Sequence, residues 1–453
     1  MEIRDPIHGF VELREEERAI IDRREFQRLR GIHQLAMAYL LYPGATHTRF
    51  DHSIGTLAVA DRLARSARLP DERIRHVRLA ALLHDIGHGP FSHVSEYVFA
   101  ARAAEKEGGD VTEEWHERIT LDIIKYLCKQ GLLNKTQLAA MENVFDKERY
   151  RGLRTPERDI VSGPLDADKM DYLLRDSHFC GVRYGVFDLD RLAHAVTAIE
   201  DPPNSYLGIA EEDVSAVDQF IIAAHNMRTQ VYRHRVRRIA DGMLVRAVVT
   251  SLQEGNDRLR EVYDYRPGDD EYLKQYLSHD DYSLSRALLE GPDGAGKTLF
   301  RRLAQRRLLR EVAYVPLKEC RDTAFQETLR KEDAQAHETR AALEAEIANA
   351  LQLAVPAEVF VEVVLSKPPR PRVDEPSIDP QAIHVRRLDA APGSYDEQSQ
   401  FFRYGELRGD DMISVYVPVD EPERERRQRR YAEFRARIRE ILGLPGGASD
   451  AGC

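Results

Sequence analysis

The stretch Ala81 to His93 reads ALLHDIGHGPFSH and gathers His84, Asp85, His88 and His93 at the end of an apolar run. A carboxylate beside an imidazole in a buried setting is costly unless the pair is hydrogen-bonded or holds a cation. Adjacent residues on a helix differ by about 100°, so His84 and Asp85 can both reach one ion beyond the helix end. Two further segments offer ligands: Arg49-Phe50-Asp51-His52-Ser53 and Asp166-Ala167-Asp168-Lys169-Met170-Asp171-Tyr172. In the second, Asp168, Tyr172 and Asp176 share a helix face by their spacing. The macrodipole alone favours an acid at a helix start, but it does not account for Asp166, Asp168, Lys169 and Tyr172 together. Mixed imidazole and carboxylate ligation suits Mn, Fe, Co, Ni or Zn, and tolerates Mg in an adjoining carboxylate-rich site. Four such ligands leave open positions for water and a phosphate oxygen, the arrangement used in metal-assisted phosphoester hydrolysis.

Helical spacing supplies the elements that must position these groups. Ile20, Ile21, Phe26, Leu29, Ile32 and Leu35 mark a helical stretch over Glu16 to Leu35, and Thr56 to Leu69 reads similarly. Val77 to Leu83 is apolar enough to be buried on most sides. Gly87 and Gly89 are expected to end that helix, because glycine suits a left-handed turn. Amphipathic stretches follow at Trp115 to Leu132, Asp166 to Ser177 and Val214 to Leu252, and Lys331 to Leu351 reads as a solvated helix. Val359 to Leu365, Ile383 to Val385 and Ile413 to Val417 are β-branched and short, as strands are. Lys367 to Pro376 is a proline-rich connection, and Glu421 to Leu442 a charged amphipathic helix. The expected fold is mostly α: a helical domain over 1–355 with its ligands within 45–195, then a small α+β module over 356–445. The tail 446–453 is expected to be disordered.

The chain has 453 residues, 66 basic and 77 acidic, a net charge of −11, and 42% hydrophobic against 32% charged residues. That balance is globular and argues against a protein that coats nucleic acid. A few arginines can still reverse the potential inside a cleft. Cys128, Cys180, Cys320 and Cys453 are far apart and fit neither a disulfide framework nor a zinc knuckle. No secretory segment or membrane-spanning run is visible, so a reduced, cytoplasmic protein with no membrane association is expected. Gly291 to Thr298 (GPDGAGKT) fits the phosphate-cradling GxxxxGK[ST] pattern. The preceding Tyr282 to Glu290 looks helical where that motif needs a strand, so a glycine-rich surface loop is expected instead.

His52, His84-Asp85 and Asp168 resemble the HD superfamily of metal-dependent phosphohydrolases. The flanking words narrow the likeness: DPIHGFVEL (Asp5 to Leu13), YPGATHTRFDHSIG (Tyr42 to Gly55), LLHDIGHGPFSH (Leu82 to His93) and DADKMDYLLRD (Asp166 to Asp176) resemble dNTP triphosphohydrolases. That group includes the animal SAM-and-HD-domain enzyme and bacterial dGTPases. The resemblance runs over about residues 2 to 240 and implies cleavage of a dNTP into deoxynucleoside and inorganic triphosphate. It implies His52, His84, Asp85 and Asp168 as ligands of a divalent metal, and Arg49 and Lys169 as triphosphate holders. His93 matches the catalytic histidine near the scissile bond, with His88, Glu96, His116 and Glu117 around it. Glu96 stands where the family often has Asp. Tyr172 and Asp176 match the side of the pocket that checks the deoxyribose, Gln34 and Leu35 its other wall, and Tyr232 the place where the base stacks. An arginine that contacts triphosphate in the animal enzyme has no counterpart at Ala224, with Arg228 nearby as a substitute. Asp22, Gln27 and Arg30 correspond to residues that read a guanine nucleotide between subunits, which implies a (d)GTP or dNTP effector and a homotetramer, or a dimer that assembles further. Other readings stay open: another HD nucleotidase or phosphodiesterase, or a nucleotide-sensing or single-stranded nucleic-acid-binding protein. The last rests on the basic clusters Arg233 to Arg238 and Arg301 to Arg310, set against a solvated or intersubunit face.

Overall fold

The computed structural model describes residues 1–107, 115–146, 149–150, 152, 154–201, 204–331, 334–365, 378, 382–386, 392–395, 399 and 411–444. The N-terminal hairpin pairs β1 (Glu2–Asp5) with β2 (Gly9–Glu12). Helices α1 (Glu15–Ile21) and α2 (Arg24–Gln27) follow, and a 3-10 turn continues to Gly31. The helical stretch expected over Glu16 to Leu35 is therefore broken, with Arg23 extended between two short helices. Its apolar positions are nonetheless all buried. The break lets one stripe turn a corner around the core.

The site rests on helices α3 (Arg49–Ser66), α4 (Asp71–Leu83), α5 (His93–Glu107) and α6 (Trp115–Lys129). Helices α7 (Lys135–Phe145), α8 (Pro156–Ser162) and α9 (Ala167–Cys180) complete this part. A capping box starts α3: the Thr48 side chain accepts from Asp51 N–H, and the Asp51 carboxylate accepts from Thr48 N–H. That fixes Arg49 in the first turn and His52 one turn in. Asp166 caps α9 by accepting from Lys169 N–H, and Gly181 ends it in the left-handed region with φ 70°.

Next come α10 (Leu189–Ala195), α11 (Val214–Met227) and α12 (Arg235–Gln253), with a π-helical turn at Arg228–Tyr232. The amphipathic stretch expected over Val214 to Leu252 is thus two helices. Between α10 and α11, β3 (Val196–Asp201) pairs antiparallel with β4 (Asn204–Ala210). Helices α13 (Asp257–Tyr263), α14 (Asp270–Tyr276), α15 (Asp281–Glu290) and α16 (Ala295–Ala304) close the larger core.

A second, separate core is built on a sheet of order β5-β9-β6, with β5 (Arg310–Pro316), β6 (Phe360–Val364) and β9 (Met412–Val417). Helices α17 (Thr323–Arg330), α18 (Ala334–Ala350) and α19 (Arg424–Ile441) belong with it. Val312, Leu317 and Leu343 fill it alongside Val361 and Ile413, so the expected division at 355/356 passes through this core. The remaining short strands, β7 (His384–Arg386) and β8 (Gly393–Ser394), join β4 in the larger body. The proline-rich connection 367–376 and the tail 446–453 lie outside the described residues. The architecture is mostly helical, with a small α+β C-terminal part. Among the described residues no helix is long and apolar enough to cross a membrane.

Two glycines do something other than expected. Gly87 and Gly89 do not have positive φ. A Cβ at Gly87 would stand 2.3 Å from the His116 carbonyl oxygen and 2.4 Å from Thr120 N. Glycine is needed there because α6 approaches the loop backbone closely. The left-handed residues of that loop are Phe91 (φ 61°) and Ser92 (φ 55°).

Candidate functional site

His52 is fully buried and held at both ring nitrogens. Its Nδ1 lies 2.7 Å from Asp171 Oδ2, and its Nε2 lies 2.9 Å from Asp168 Oδ1. His84 Nδ1 donates to the Ala81 carbonyl at 2.7 Å, which turns the Nε2 lone pair outward, 3.2 Å from His52 Nε2. Asp85 Oδ1 is 3.3 Å from His84 Nε2, and Asp85 Oδ2 is 3.6 Å from His52 Nε2. Asp168 Oδ1 also approaches His84 Nε2, at 3.7 Å. Ligand atoms of His52, His84 and Asp85 all lie within 4.8 Å of one another. Two ring nitrogens that both present lone pairs repel unless a proton or a cation lies between them. Burial alone would depress His52, but hydrogen bonds to Asp168 and Asp171 outweigh it and push its pKa up to about 10. The field that draws a proton there is the field that holds a divalent cation. For Asp85, burial works against ionisation, yet Arg49 and His84 keep it well below the usual carboxylate range. This mixed N/O donor set fits a divalent metal ion.

The support behind His52 is buried. Asp171 accepts from Arg175 Nε and Nη2 at 2.8 and 2.9 Å and lies 2.6 Å from His8 Nε2. Arg175 Nη2 also reaches Asp5 at 2.9 Å, which ties the N-terminal hairpin to α9. Burial opposes charge on Asp171, but Arg175, His52 and His8 hold it well below the usual carboxylate range. A carboxylate behind a metal-facing histidine fixes its tautomer and orientation. The packing needs Gly55, where a Cβ would stand 1.9 Å from Asp171 Oδ1.

A second cluster lies beside the first. His88 Nε2 is 3.2 Å from Asp85 Oδ1, and its ring stacks on His116 at 4.2 Å. His93 meets His88 edge-on at 5.1 Å. Glu96 pairs with His116 Nδ1 at 3.4 Å. Burial and then the Arg49 cation hold both His88 and His93 well below the ordinary histidine pKa. Burial would do the same to His116, but Glu96 and then Glu117 outweigh it and push it up to about 9. Arg49 joins the two clusters. Its Nη1 donates to Asp85 Oδ2 at 2.7 Å and its Nε to Ser92 Oγ at 2.9 Å, while its buried Nη2 has no hydrogen-bond partner among the described residues.

Farther along α9, the buried Tyr172 and Asp176 face Tyr232. The Tyr232 hydroxyl donates to Asp176 Oδ2 at 2.7 Å, and His47 Nε2 lies 2.7 Å from Asp176 Oδ1. Burial and then neighbouring carboxylates keep both tyrosines protonated, with pKa values well above 10. A small pocket is lined by Gln34, Ser92 and His93 together with Tyr97, Arg237 and Asp241. Leu35 is buried next to Gln34. Lys169 turns toward Asp166 and donates to the Gly163 carbonyl at 3.0 Å. Asp22 and Arg30 are exposed. Arg30 Nε donates to Gln27 Oε1 at 2.9 Å, and its guanidinium lies 3.5 Å from the Phe50 ring centroid.

The GPDGAGKT segment follows helix α15, not a strand. Glu254 fills the place of a phosphate: it accepts from Ala295 and Gly296 N–H at 2.7 and 3.2 Å. Lys297 is paired with Asp293 and the Gly291 carbonyl. Members of the basic clusters are also used within the fold. Arg238 pairs with Glu362, Arg235 with Glu311, and Arg302 and Arg307 with Asp420.

All proposed metal ligands thus converge, as do His88, His93, Glu96 and His116. Asp171, Arg175, His8, His47 and Asp241 carry no role in the reading of the sequence, and Arg237 enters it only within a basic cluster. Asp171 and Arg175 are legible as a stripe at i, i+3 and i+7 from Asp168; His8 and His47 have no local signal.

The HD-domain family matches residues 49–176, and the HD-associated region matches residues 187–390. An uncharacterized protein of Methanocaldococcus jannaschii is 39% identical over 256 residues, covering 56% of this chain and 50% of the relative. An uncharacterized Bacillus subtilis protein is 34% identical, covering 55% of each. The deoxynucleoside triphosphate triphosphohydrolase SAMHD1 of Bos taurus is 32% identical over 278 residues, covering 54% of this chain and 46% of the relative. The match spans about half the length of these curated relatives. A phosphohydrolase of Bacteroides thetaiotaomicron shares the fold at TM-score 0.70 and 23% identity, over 92% of this chain and 98% of that one. A hypothetical protein of Aquifex aeolicus superposes at TM-score 0.68 with 26% identity, over 97% and 99%. His52, His84 and Asp85 gather inside the matched region, and the chain carries an HD domain joined to an HD-associated region.

Proposed function

We propose that the protein is a metal-dependent deoxynucleoside triphosphate triphosphohydrolase that splits a dNTP into deoxynucleoside and inorganic triphosphate. The observation that carries this reading is Arg49. It is buried beside the His52–His84–Asp85 cluster and anchored at two nitrogens, and its Nη2 has no partner among the described residues. A fixed fork donor with a spare N–H beside a cation site suits a phosphate oxygen. The 32% identity to a dNTP triphosphohydrolase supports the same reading.

A divalent cation held by His52, His84, Asp85 and Asp168 would neutralise phosphate charge and lower the pKa of a water. Arg49 binds the triphosphate, and Lys169 exchanges Asp166 for it. His93 is neutral without substrate because of burial and Arg49. A polyanion bound at Arg49 offsets that cation and raises the proton affinity of His93. His93 then gives its proton to the departing 5′-oxygen, a step worth typically about 10²–10⁴-fold. His88, Glu96, His116 and Glu117 orient His93 and set the local charge. Gln34, Leu35, Tyr172, Asp176 and Tyr232 form the sugar and base walls and exclude a 2′-hydroxyl sterically. Asp22, Gln27 and Arg30 take a guanine nucleotide as effector, in a tetramer or nucleotide-assembled dimer of a cytoplasmic enzyme.

Product identification tests this. The protein is incubated with each dNTP, singly and mixed, with Mn²⁺ or Mg²⁺. Deoxynucleoside plus intact triphosphate is expected, and turnover only in mixtures identifies an effector. Monophosphate or free phosphate as product would move the protein to another HD activity.

A further inference from the structure

We propose that Asp281, in the HD-associated region, is a positioning residue for the catalytic loop of the HD domain. The loop that delivers His93 contains two consecutive non-glycine residues in the left-handed region, Phe91 and Ser92. Such a conformation costs free energy at each residue and persists only where its surroundings impose it. Asp281 imposes it from almost two hundred residues away in sequence. Its side chain is 4% exposed, and both carboxylate oxygens are occupied. Oδ1 accepts from Phe91 N–H at 2.5 Å, and Oδ2 accepts from His33 N–H at 2.9 Å and pairs with His33 Nδ1 at 2.7 Å.

The chain of contacts ends in the site. The Ser92 hydroxyl donates to the His33 carbonyl at 2.6 Å and accepts from Arg49 Nε at 2.9 Å. Arg49 in turn holds Asp85. Asp281 thus fixes the backbone two residues before His93 and, through His33 and Ser92, the guanidinium of Arg49. The neighbouring residues grip the same loop. Tyr276 donates its hydroxyl to the Gly87 carbonyl at 2.7 Å, and Arg28 links the carbonyls of Ile86, His88 and His279. The HD-associated region is therefore part of the catalytic scaffold.

For its rate readout this inference rests on the proposed hydrolysis; its second readout does not. Asp281→Asn keeps the volume but replaces one acceptor with a donor facing an N–H. Displacement of reacting groups by about 1 Å costs on the order of 10²-fold, so kcat is expected to fall about 10- to 100-fold, with KM changing far less and bound metal unchanged. Hydrogen exchange followed by mass spectrometry is expected to accelerate in peptides covering 31–35 and 86–93 and not elsewhere. Asp322→Ala is the control: it removes the α17 cap, where Asp322 accepts from Phe325 N–H, in the second core and away from the loop. It is expected to lower the melting temperature with kcat unchanged. If Asp281→Asn retains wild-type kcat, or if exchange rises uniformly along the chain, the positioning role is overturned. If Asp281→Asn does not fold, Tyr276→Phe carries the test, with the same local exchange expected and its absence counting against the brace. If the wild-type protein hydrolyses no dNTP, the proposed function fails while the exchange pattern still decides the brace.

Discussion

Two segments of this chain match phosphate-handling patterns: ALLHDIGHGPFSH at Ala81 to His93 and GPDGAGKT at Gly291 to Thr298. In the first, partners sit on the far side of the functional groups. Ala81 takes His84 Nδ1, Asp171 takes His52 Nδ1, and Ser92 takes Arg49 Nε, so the near atoms face one space. In the second, the functional groups themselves are consumed. Glu254 accepts from the loop N–H groups, Thr298 donates to the Gly294 carbonyl, and Lys297 is tied to Gly291 and Asp293. The residue types suffice for chemistry in both places. What separates them is which side of each group its neighbours occupy.

The comparison breaks first at the ligands. His84→Ala or Asp168→Ala is expected to abolish metal binding and turnover while the circular dichroism spectrum persists. Lys297→Ala is expected to leave turnover unchanged and to shift stability by no more than roughly 0.5 kcal/mol. Loss of turnover in Lys297→Ala would return GPDGAGKT to the functional site.

The HD region also holds histidines, which the loop lacks, and pH reads them. His116 has a folded pKa of about 9, above its ordinary 6.5. Its stabilisation is therefore fully present below pH 6.5 and is lost as pH rises through about 9. The size is on the order of 3 kcal/mol at most, from 1.36 kcal/mol per pKa unit. The urea midpoint of metal-free protein should fall across that window, and Glu96→Gln should flatten the fall. A midpoint independent of pH there would mean that His116 is neutral in the folded protein.

Next in size is the support behind the ligands. Asp171→Asn leaves His52 in place but weakens its orientation, and should cost about 10- to 100-fold in metal affinity. Isothermal titration with Mn²⁺ measures it, and unchanged affinity would reduce Asp171 to a packing role.

The same contrast governs what the sequence can reveal. His84 and Asp85 are legible because imidazole and carboxylate together at the end of an apolar helix are costly to bury without a shared proton or cation, whereas His52 and Asp168, at helix starts, are singled out by the family resemblance. The helix carrying Asp168 is legible from its period. Asp281 is not, because nothing in its own segment marks a carboxylate that serves a loop far away in the chain. Nor is the role of Gly87, since a close approach by α6 is a tertiary fact and the local pattern points to a left-handed turn. The second core begins earlier than its composition suggests, because β5 pairs with a strand about a hundred residues later. Local patterns record periodicity and turn chemistry; they do not record which distant residue takes the other side of a group.

A smaller effect makes the comparison sharpest, because it asks whether the quiet loop can be made to resemble the active one. The Glu254 carboxylate accepts from the N–H groups of both Ala295 and Gly296. Glu254→Ala removes an anion from a helix N-terminus and should cost about 1 kcal/mol. It also leaves those N–H groups facing solvent beside Lys297, the arrangement that binds sulfate or phosphate. Sulfate should therefore raise the melting temperature of Glu254→Ala more than that of the wild-type protein, and salt of the same ionic strength as chloride should not. An equal sulfate response in both proteins would mean that the loop's geometry, and not its occupied donors, keeps anions out, and the contrast between the two segments would then rest on backbone shape.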